Sequence, residues 1–466
     1  MSQKHRYQVT TPLAVTVEDA FAYHQRRGAL QRLIPPWESV AIESSDDSLS
    51  VGSRVVLTAK IAGLPLRWVA EHTEYDPPHR FADTQVSGPF ASWDHQHEFR
   101  NLDPTASGNL SSLTDTVEYQ LPAGALGNGV GNAMARKKLE SMFAYRHRIT
   151  SDDLQLMSRY RSSHLQVAIS GSSGLVGSHL DNLLTLLGHQ TVPIVRSPGD
   201  PRAIAAWDSP SEVEKFNHVD VVVHLAGKSI AGSRWSDKVK QEIRDSRVIK
   251  TRQLCESLAK LEQKPKVLIC ASATGIYGDR GDEVLSESST DGDTFLAGVG
   301  AEWEAACQPA VDAGIRVVHA RFGLILSAAG GALEQMLLPA KCLGGKLGSG
   351  KQWWSWIALD DVLGAIYHCI CRDEVSGPVN FVSPDPITNA GFAKTLGQVL
   401  NRPAMFPAPA FALRLALGEM ADALLLSSAR VVPEVLKQSG YSFRFVELDA
   451  ALRYSLGFER LRSETE

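Results

Sequence analysis

A glycine-rich turn between a strand pattern and a helix pattern is the most specific chemical signal in the sequence. Gly171 can make the tight turn out of the strand, Gly174 lets a pyrophosphate approach the backbone, and Gly177 lets the helix pack closely. The N–H groups and the dipole at the start of the helix then favour phosphate groups. The alternative is a turn needed only for strand–helix packing. We expect a dinucleotide to bind at Gly171, Ser172, Ser173, Gly174, Leu175, Val176 and Gly177.

The end of the next strand pattern indicates which dinucleotide this is. An acidic residue there binds the ribose 2′-hydroxyl, whereas an arginine accepts a 2′-phosphate. Here the apolar stretch 192–195 is followed by Arg196 and Ser197, with no Asp or Glu in place. Because a guanidinium suits phosphate geometry, we expect NADP as the cofactor. The alternative is that Arg196 is a solvated loop cation.

Two histidines at a spacing of two are candidate metal ligands. His95 and His97 lie on a predicted strand and therefore face the same way. The sequence shows no evident third ligand, and its cysteines form no Cys-x-x-Cys pair. We therefore expect no metal ion and interpret the two side chains as solvent-facing or hydrogen-bonded.

The elements around the glycine turn predict an α/β fold. Short apolar strands at 167–170, 191–195, 219–225, 267–271 and 315–322 alternate with helical stretches. Such strands indicate a parallel, doubly wound sheet of the Rossmann type, covered by helices on both faces. A proline-containing stretch and a helical run over 411–426 then predict a small helical appendage.

Ligands of such sheets lie beyond the carboxyl ends of the strands. Arg234 and Trp235 fall in one of the loops expected there, and Gln352 and Trp356 fall in a later tryptophan-rich cluster. We expect these four residues to bind an anionic or planar substrate. The alternative is a packing cluster or a lobe interface.

The first 150 residues show a different pattern. Strands at 54–59, 66–75, 80–86 and 92–99 and an alternating segment at 116–121 predict an antiparallel meander, with helices over 16–33 and 132–147. The polar segment that follows predicts a boundary. The expected domains are 1–150, a linker 151–164, a cofactor-binding domain 165–400 and a helical appendage 401–466.

This order of strands and helices resembles the START-like, polyketide-cyclase-like (SRPBCC) helix-grip domains. The resemblance implies an apolar cavity for a small ligand, enclosed by the sheet and its C-terminal helix.

The later part resembles the short-chain dehydrogenase/reductase superfamily, and within it the atypical epimerase-family branch. The motifs are Gly171-x-x-Gly174-x-x-Gly177, the segments 223–227 and 271–283, Arg321-Phe322-Gly323, and Trp356-Ile357 with Asp360-Asp361. The resemblance implies a Rossmann core, NADP binding and a small substrate lobe. It also implies that Ser272 hydrogen-bonds a reacting carbonyl; the alternative is a hydroxyl that satisfies backbone groups. The further cofactor-binding residues expected from it are Leu225, Ala226, Gly227, Ala271 and Ser272.

The usual acid of that superfamily, a Tyr-x-x-x-Lys pair, is absent. Leu296 and Gly300 stand at its two positions, and neither side chain can donate a proton. Tyr277, five residues beyond Ser272, is the candidate substitute, with aromatic packing as the alternative.

Composition sets the broad class. The chain has 466 residues, 44% hydrophobic and 21% charged, which predicts several globular domains. A net charge of −5 without a basic run argues against nucleic-acid binding. Without a signal-peptide pattern or a long uncharged apolar stretch, we expect a cytoplasmic chain with no membrane span.

These observations favour an NADP-dependent oxidoreductase acting on a small, lipophilic substrate, with Ser272 polarising a carbonyl and a proton from water or Tyr277. Because the tyrosine–lysine pair is missing, a non-catalytic NADPH sensor is the main alternative. A nucleotide-sugar epimerase is a further one, by family resemblance.

Overall fold

The structure is a computed structural model that describes residues 4–61, 64–103, 110–122, 128–160, 162–197, 203–205 and 210–459. It divides into two units, Met1–Arg161 with Asn182–Gly188 and Leu456–Glu466, and Ser162–Asp181 with His189–Ser455. The first is called the N-terminal unit below and the second the C-terminal unit.

The N-terminal unit is an antiparallel sheet with one long helix. The strands follow the order β1-β7-β6-β5-β4-β3-β2 across the sheet. Its elements are β1 (His5–Leu13), α1 (Val17–Gln25), α2 (Ala29–Leu33), β2 (Val40–Ser45), β3 (Arg54–Ile61), β4 (Leu64–Asp76), β5 (Arg80–Ser87), β6 (Ser92–Asn101), β7 (Ser111–Gln120) and α3 (Asn128–Tyr160).

Helix α3 covers the inner face of this sheet. Leu139 and Phe143 on the helix pack against Trp93, Val117 and Tyr119, which point inward from β6 and β7. Inward side chains alternate with outward ones along these strands because successive strand residues face opposite sides. The predicted helix-grip architecture is confirmed.

Two sequence-based helix boundaries differ from the structure. The helix predicted over 16–33 is two helices, because Gly28 adopts a left-handed conformation (φ 92°) that interrupts the helical path. Helix α3 continues to Tyr160, so most of the segment assigned to a linker is helical. No glycine or proline occurs between residues 133 and 160 to stop it.

The C-terminal unit contains a parallel six-stranded sheet in the order β18-β13-β11-β10-β8-β9. The elements of its first half are β8 (Gln166–Ser170), α4 (Leu175–Leu186, of which the part from Asn182 belongs to the N-terminal unit), β9 (Gln190–Ile194), α5 (Pro210–Glu214), β10 (Val221–His224), α6 (Asp237–Ala259), β11 (Val267–Ala273), β12 (Val284–Leu285), α7 (Phe295–Ala305), α8 (Gln308–Asp312) and β13 (Arg316–Phe322).

Its second half adds the last strand of that sheet and several short pairs. The elements are β14 (Leu324–Leu326), α9 (Gly331–Lys341), β15 (Gly344–Leu347), β16 (Trp353–Trp354), β17 (Trp356–Ala358), α10 (Leu359–Cys371), β18 (Gly377–Phe381), β19 (Ile387–Thr388), α11 (Asn389–Val399), β20 (Phe406–Ala408), α12 (Ala410–Leu417), α13 (Glu419–Ala421), β21 (Arg430–Val431), α14 (Glu434–Gln438) and α15 (Leu448–Ser455).

The parallel sheet is buried, as its continuous apolar strands predict. Val222 and Leu268 in the sheet are fully buried against Leu254 and Leu258 of α6. Burying an aliphatic side chain of this kind contributes about 1.5–3 kcal/mol, so this interface holds the strand ends in fixed positions. The predicted Rossmann class is confirmed.

The helical run predicted over 411–426 is divided at Gly418, which has φ 65°. Helix α12 precedes it, and α13 with a short π-helix (Asp422–Leu426) follows. No helix in the described part of the chain is both long and apolar enough to cross a membrane.

Candidate functional site

The glycine turn between β8 and α4 has space for backbone only. Gly171 has φ 70°, and a Cβ atom there would lie 3.1 Å from the backbone nitrogen of Ala226. A Cβ atom on Gly177 would lie 2.2 Å from the carbonyl oxygen of Gly171, far inside van der Waals contact. Helix and loop therefore approach one another so closely that only glycine fits, which is the geometry of a phosphate-binding turn.

Helix α4 begins at Leu175 and directs its first N–H groups toward this turn. Ser173 and Gly174 are exposed just before it, and Ser172, Leu175 and Val176 are partly exposed. Strand β8 lies between β9 and β10, so the chain leaves β8 in one direction and later returns on its other side. Such a switch point opens a crevice beyond the strand ends, where dinucleotides bind in folds of this class.

The loop after β10 forms the other side of this crevice. The Oγ of Ser170 accepts hydrogen bonds from the N–H groups of Leu225 (3.1 Å) and Ala226 (3.2 Å). These two amides are therefore engaged, which leaves the carbonyl groups and side chains of Leu225 and Ala226 to contact a ligand. Gly227, the next residue, is exposed.

A buried chain of polar groups supports that loop. The Nδ1 of His224 lies 2.6 Å from Ser170 Oγ, and its Nε2 lies 3.0 Å from Thr251 Oγ1. Trp303 Nε1 donates to the same threonine oxygen at 2.9 Å. Burial lowers the pKa of His224 to about 4, so the imidazole is neutral at physiological pH and joins β8, β10 and α6 without a buried charge.

Arg196 is exposed two residues beyond the end of β9, where the sequence predicts it. Its contact with a 2′-phosphate stays a prediction.

Ser272 lies near the end of β11 in a cluster of polar side chains on neighbouring strands. Arg321 on β13 is its register partner, and Asn380 on β18 is the register partner of Arg321. Ser272 Oγ donates to Oε1 of Glu304 on α7 at 2.7 Å. Glu304 in turn accepts two hydrogen bonds from Arg321, each of 2.8 Å. Ser272 is 3% exposed, so its hydroxyl is held near the carboxyl end of an interior strand by a largely buried ion pair.

The predicted substitute acid, Tyr277, belongs to the same cluster. Its hydroxyl donates to Asn380 Oδ1 (2.7 Å) and accepts from Arg321 (2.9 Å), and its side chain is fully buried. Burial raises the pKa of Tyr277, and the positive charge of Arg321 opposes that rise only in part. These contacts favour the packing alternative, and the role of Tyr277 as an acid stays a prediction.

The positions of the missing tyrosine–lysine pair pack against the turn that carries Tyr277. A Cβ atom on Gly300 would lie 3.1 Å from Cβ of Ile276, and the side chain of Leu296 faces Gly275 in the same way. Helix α7 therefore approaches this turn closely, and two turns beyond Leu296 it presents Glu304 to Ser272.

The residues predicted to bind substrate are divided between surface and core. Arg234 is exposed, and Trp235 beside it is partly buried, with Nε1 donating to the carbonyl of Ile230 (2.8 Å). Gln352 is buried and donates to the carbonyls of Leu347 and Leu425. Trp356 is fully buried, with Nε1 donating to the carbonyl of Asp385. For Gln352 and Trp356 these contacts favour the packing alternative.

Sequence reasoning missed the partners of Ser272. Arg321 stands in a motif that carries the family resemblance, yet the motif alone indicates no role for it, and Glu304 stands four residues beyond Gly300. The available signal was the pair of glutamates, Glu302 and Glu304, on the otherwise apolar helix α7, and it does not show which of them faces the sheet.

The N-terminal unit has a cavity of its own, with a volume of about 330 Å³. Its lining is mainly apolar and aromatic and includes Leu57, Trp68, Phe81, Trp93 and Met142. Both His95 and His97 also line it and are buried, so the expectation that they face solvent is wrong, whereas contact with polar partners is observed.

Comparisons with known proteins agree with this geometry. Residues 167–300 match the NAD dependent epimerase/dehydratase family, residues 13–143 match the family described as polyketide cyclase / dehydrase and lipid transport, and residues 408–454 match Domain of unknown function (DUF1731). Epimerase family protein Mb2239 of Mycobacterium bovis is 41% identical over 293 residues, which are 62% of this chain and 97% of that protein.

Two solved structures are similar as well. A nucleoside-diphosphate sugar epimerase from Corynebacterium glutamicum is 34% identical with a TM-score of 0.78, covering 98% of this chain and 91% of that one. Human epimerase family protein SDR39U1, crystallised with NADPH, is 32% identical with a TM-score of 0.58, covering 63% of this chain and 99% of that one. The chain therefore belongs to the epimerase family within the NAD-dependent epimerase/dehydratase proteins, and it carries an N-terminal domain of the polyketide-cyclase type.

Proposed function

We propose that the C-terminal unit binds NADP(H) in the crevice beyond β8 and β10 and acts as an oxidoreductase on a small carbonyl or alcohol substrate. The observation that carries the proposal is the close approach of Gly177 to Gly171, which leaves the start of α4 open to phosphate groups. The NADPH bound by the human relative supports the same cofactor here.

The N–H groups at the start of α4 would bind the pyrophosphate, and the exposed guanidinium of Arg196 would bind the 2′-phosphate. A nicotinamide cofactor bound there supplies hydride transfer. The close approach of Gly177 to Gly171 fixes the turn after β8, and Ser170 and His224 fix the loop after β10. These contacts would hold both loops in place around the cofactor.

The proposed role of Ser272 is to hold the substrate oxygen. Its single proton is donated to Glu304, whose carboxylate can only accept. Ser272 Oγ can therefore accept a hydrogen bond from a substrate alcohol directly. To donate to a carbonyl it must turn away from Glu304, at a cost of about 1.5–3 kcal/mol for a hydrogen bond to a charged group. With the hydroxyl of Tyr277 engaged by Asn380, water is the better-supported proton source.

A non-catalytic NADPH sensor is the second candidate. The hydrogen bonds of Ser272 and Tyr277 favour it, because both hydroxyl protons are already donated within the protein and neither is free for a substrate. Both functions require the cofactor crevice, and they differ only in whether hydride leaves the cofactor.

Cofactor choice can be measured by calorimetric titration with NADPH, NADP, NADH and NAD. We expect NADPH to bind more tightly than NADH, and Arg196→Ala to weaken NADPH about ten- to a hundredfold while leaving NADH unchanged. Arg252→Ala, which removes an exposed arginine on α6, is the matched control. Equal affinity for NADH and NADPH in the unaltered chain would contradict the role given to Arg196.

Turnover separates the enzyme from the sensor. The chain is incubated with a metabolite extract and either stereospecifically deuterated NADPH, whose deuterium would pass to a carbonyl substrate, or NADP, which an alcohol substrate would reduce. Products are examined for deuterium by mass spectrometry, and NADPH formation is followed by absorbance. An enzyme transfers the label or reduces NADP, and Ser272→Ala abolishes this turnover. Tight NADPH binding with no labelled product would favour the sensor.

A further inference from the structure

Strands β5, β6 and β7 bring acidic and imidazole side chains together on the inner face of the N-terminal sheet. Asp83 is the register partner of His95, and Asp115 is the register partner of His97. Directly opposed residues in an antiparallel pair have Cβ atoms about 4.5–5.5 Å apart, so each pair meets inside the unit. This register supplies the third ligand that the spacing of the two histidines did not reveal.

The distances within the cluster are short. His95 Nδ1 lies 3.3 Å from Asp83 Oδ2, and His95 Nε2 lies 3.4 Å from Asp115 Oδ1. That same Asp115 oxygen lies 2.5 Å from His97 Nδ1. The second oxygen of Asp115 is 2.7 Å from Nε2 of His147 on α3. Asp115 therefore contacts His147 of α3 through one carboxylate oxygen and the two histidines of β6 through the other.

Several of these buried atoms lack a well-aligned hydrogen bond. They are Nε2 of His95, Nδ1 of His97 and Oδ1 of Asp115, although His95 is only 4% and Asp115 only 2% exposed. These three atoms lie against one another, so Asp115 contacts both imidazoles without a well-aligned hydrogen bond, and small rotations of the rings toward a ligand would break none.

The charge of the cluster favours a cation. Oδ2 of Asp83 and Oδ1 of Asp115 lie 3.3 Å and 3.4 Å from the two ring nitrogens of His95, so two carboxylates flank one imidazole. Two largely buried carboxylates this close together create a negative potential that favours a cation at this position. Arg146 lines the same cavity, and its Nε donates to the carbonyl of Leu33.

We propose that the N-terminal unit binds one divalent transition-metal ion, such as Zn²⁺ or Fe²⁺, through Asp83, His95 and His97. One ligand atom from each of these residues lies within 4.8 Å of the others. Metal–ligand bonds of about 2.0–2.2 Å place ligand atoms about 3–4 Å apart, so small side-chain rotations close the site. Asp115 then contacts the imidazoles from outside, as carboxylates commonly do for metal-ligating histidines.

The proposed metal ion would coordinate a ligand in the cavity and would not only stabilise the fold. A structural zinc ion is usually closed by four protein ligands, whereas two histidines and one carboxylate leave coordination positions open. Asp83, His95 and His97 all line the apolar cavity, so the open positions would face a molecule bound there. The ligand class that fits is a small apolar compound with an oxygen atom able to coordinate the ion.

The test uses the full chain without a polyhistidine tag, stripped of metal with a chelator. Zn²⁺ is titrated by calorimetry, and Co²⁺ is titrated by visible absorption, since imidazole and carboxylate ligation changes its d–d bands. Asp83→Asn and His97→Ala are compared with His79→Ala, which removes an exposed histidine at the β4–β5 turn of the same unit.

We expect one equivalent of either ion in the unaltered chain and in His79→Ala. Both ligand variants should bind at least about a hundredfold more weakly, since even the loss of outer-shell partners costs 10–100-fold. Should those variants fail to fold, X-ray absorption of the Zn²⁺-loaded unaltered chain counts its imidazole ligands, for which we expect two. The proposal is overturned if the unaltered chain takes up no equivalent of either ion, if the ligand variants bind as it does, or if absorption shows no imidazole ligation.

Discussion

Replacing Gly177 by alanine tests the closest contact in the cofactor crevice. The added methyl group would lie 2.2 Å from the carbonyl oxygen of Gly171 and 2.9 Å from Cα of Ser172. Both neighbours are backbone atoms, so the turn must retreat by roughly 1 Å to restore van der Waals contact. Overpacking of this kind costs about 1–3 kcal/mol, which should appear as a lower free energy of unfolding in urea.

The same displacement moves the amides that would bind the pyrophosphate. Loss of one hydrogen bond to a charged group costs about 1.5–3 kcal/mol, so NADPH affinity should fall about ten- to a hundredfold in calorimetric titration.

Gly298→Ala is the matched control. Gly298 is an exposed helical glycine on α7, and no atom lies within 4 Å of the position that its new methyl group would occupy. The change should therefore stabilise the chain by about 0.4–1 kcal/mol and leave NADPH binding unaltered. If Gly177→Ala matches the unaltered chain in both stability and NADPH affinity, the close-approach reasoning is refuted.

Three further substitutions test the buried polar groups. Arg321→Met should lower the free energy of unfolding by about 3–5 kcal/mol, because it leaves the largely buried carboxylate of Glu304 without its charged partner, and a loss below about 1 kcal/mol would contradict that burial. Tyr277→Phe should cost about 1–3 kcal/mol by leaving Asn380 Oδ1 without its hydroxyl donor and one nitrogen of Arg321 without its acceptor, with NADPH affinity unchanged; an unchanged stability would show that these hydrogen bonds contribute nothing. Burial lowers the pKa of His224 to about 4. The folded chain therefore resists a protonation that the unfolded chain undergoes below about pH 6.5. Stability is therefore lost as the pH falls, by about 2 kcal/mol between pH 7 and pH 5 from this group. Urea unfolding at both pH values should show that extra loss in the unaltered chain but not in His224→Gln, and equal losses would argue against a buried neutral imidazole.

The glycine turn could be recognised from the sequence because its cause is local. The spacing of Gly171, Gly174 and Gly177 after an apolar strand reflects a backbone path that other residues cannot follow, and the structure places those residues as predicted. The strand and helix periodicities are local as well, which is why both fold classes were predicted. The break at Gly28 was missed because a single glycine in a helical pattern does not show which conformation it adopts.

The polar clusters had no such local cause. Ser272, Arg321 and Asn380 are far apart in the chain and meet because β11, β13 and β18 are adjacent in register. Glu304 reaches them from a helix, and no spacing in the sequence encodes that approach. The same is true of Asp83, which meets His95 only through the antiparallel pairing of β5 and β6.

The sequence by itself therefore determined the two fold classes and the glycine turn, since each depends on periodicity or on backbone conformation within a short segment. Only the tertiary structure decided that the hydroxyl of Ser272 is engaged by Glu304, that Tyr277 is buried against Arg321, and that His95 and His97 face Asp83 inside a cavity. The physical reason is that hydrogen bonds and ion pairs between side chains depend on which strands lie side by side, and strand order is set by the packing of the whole unit.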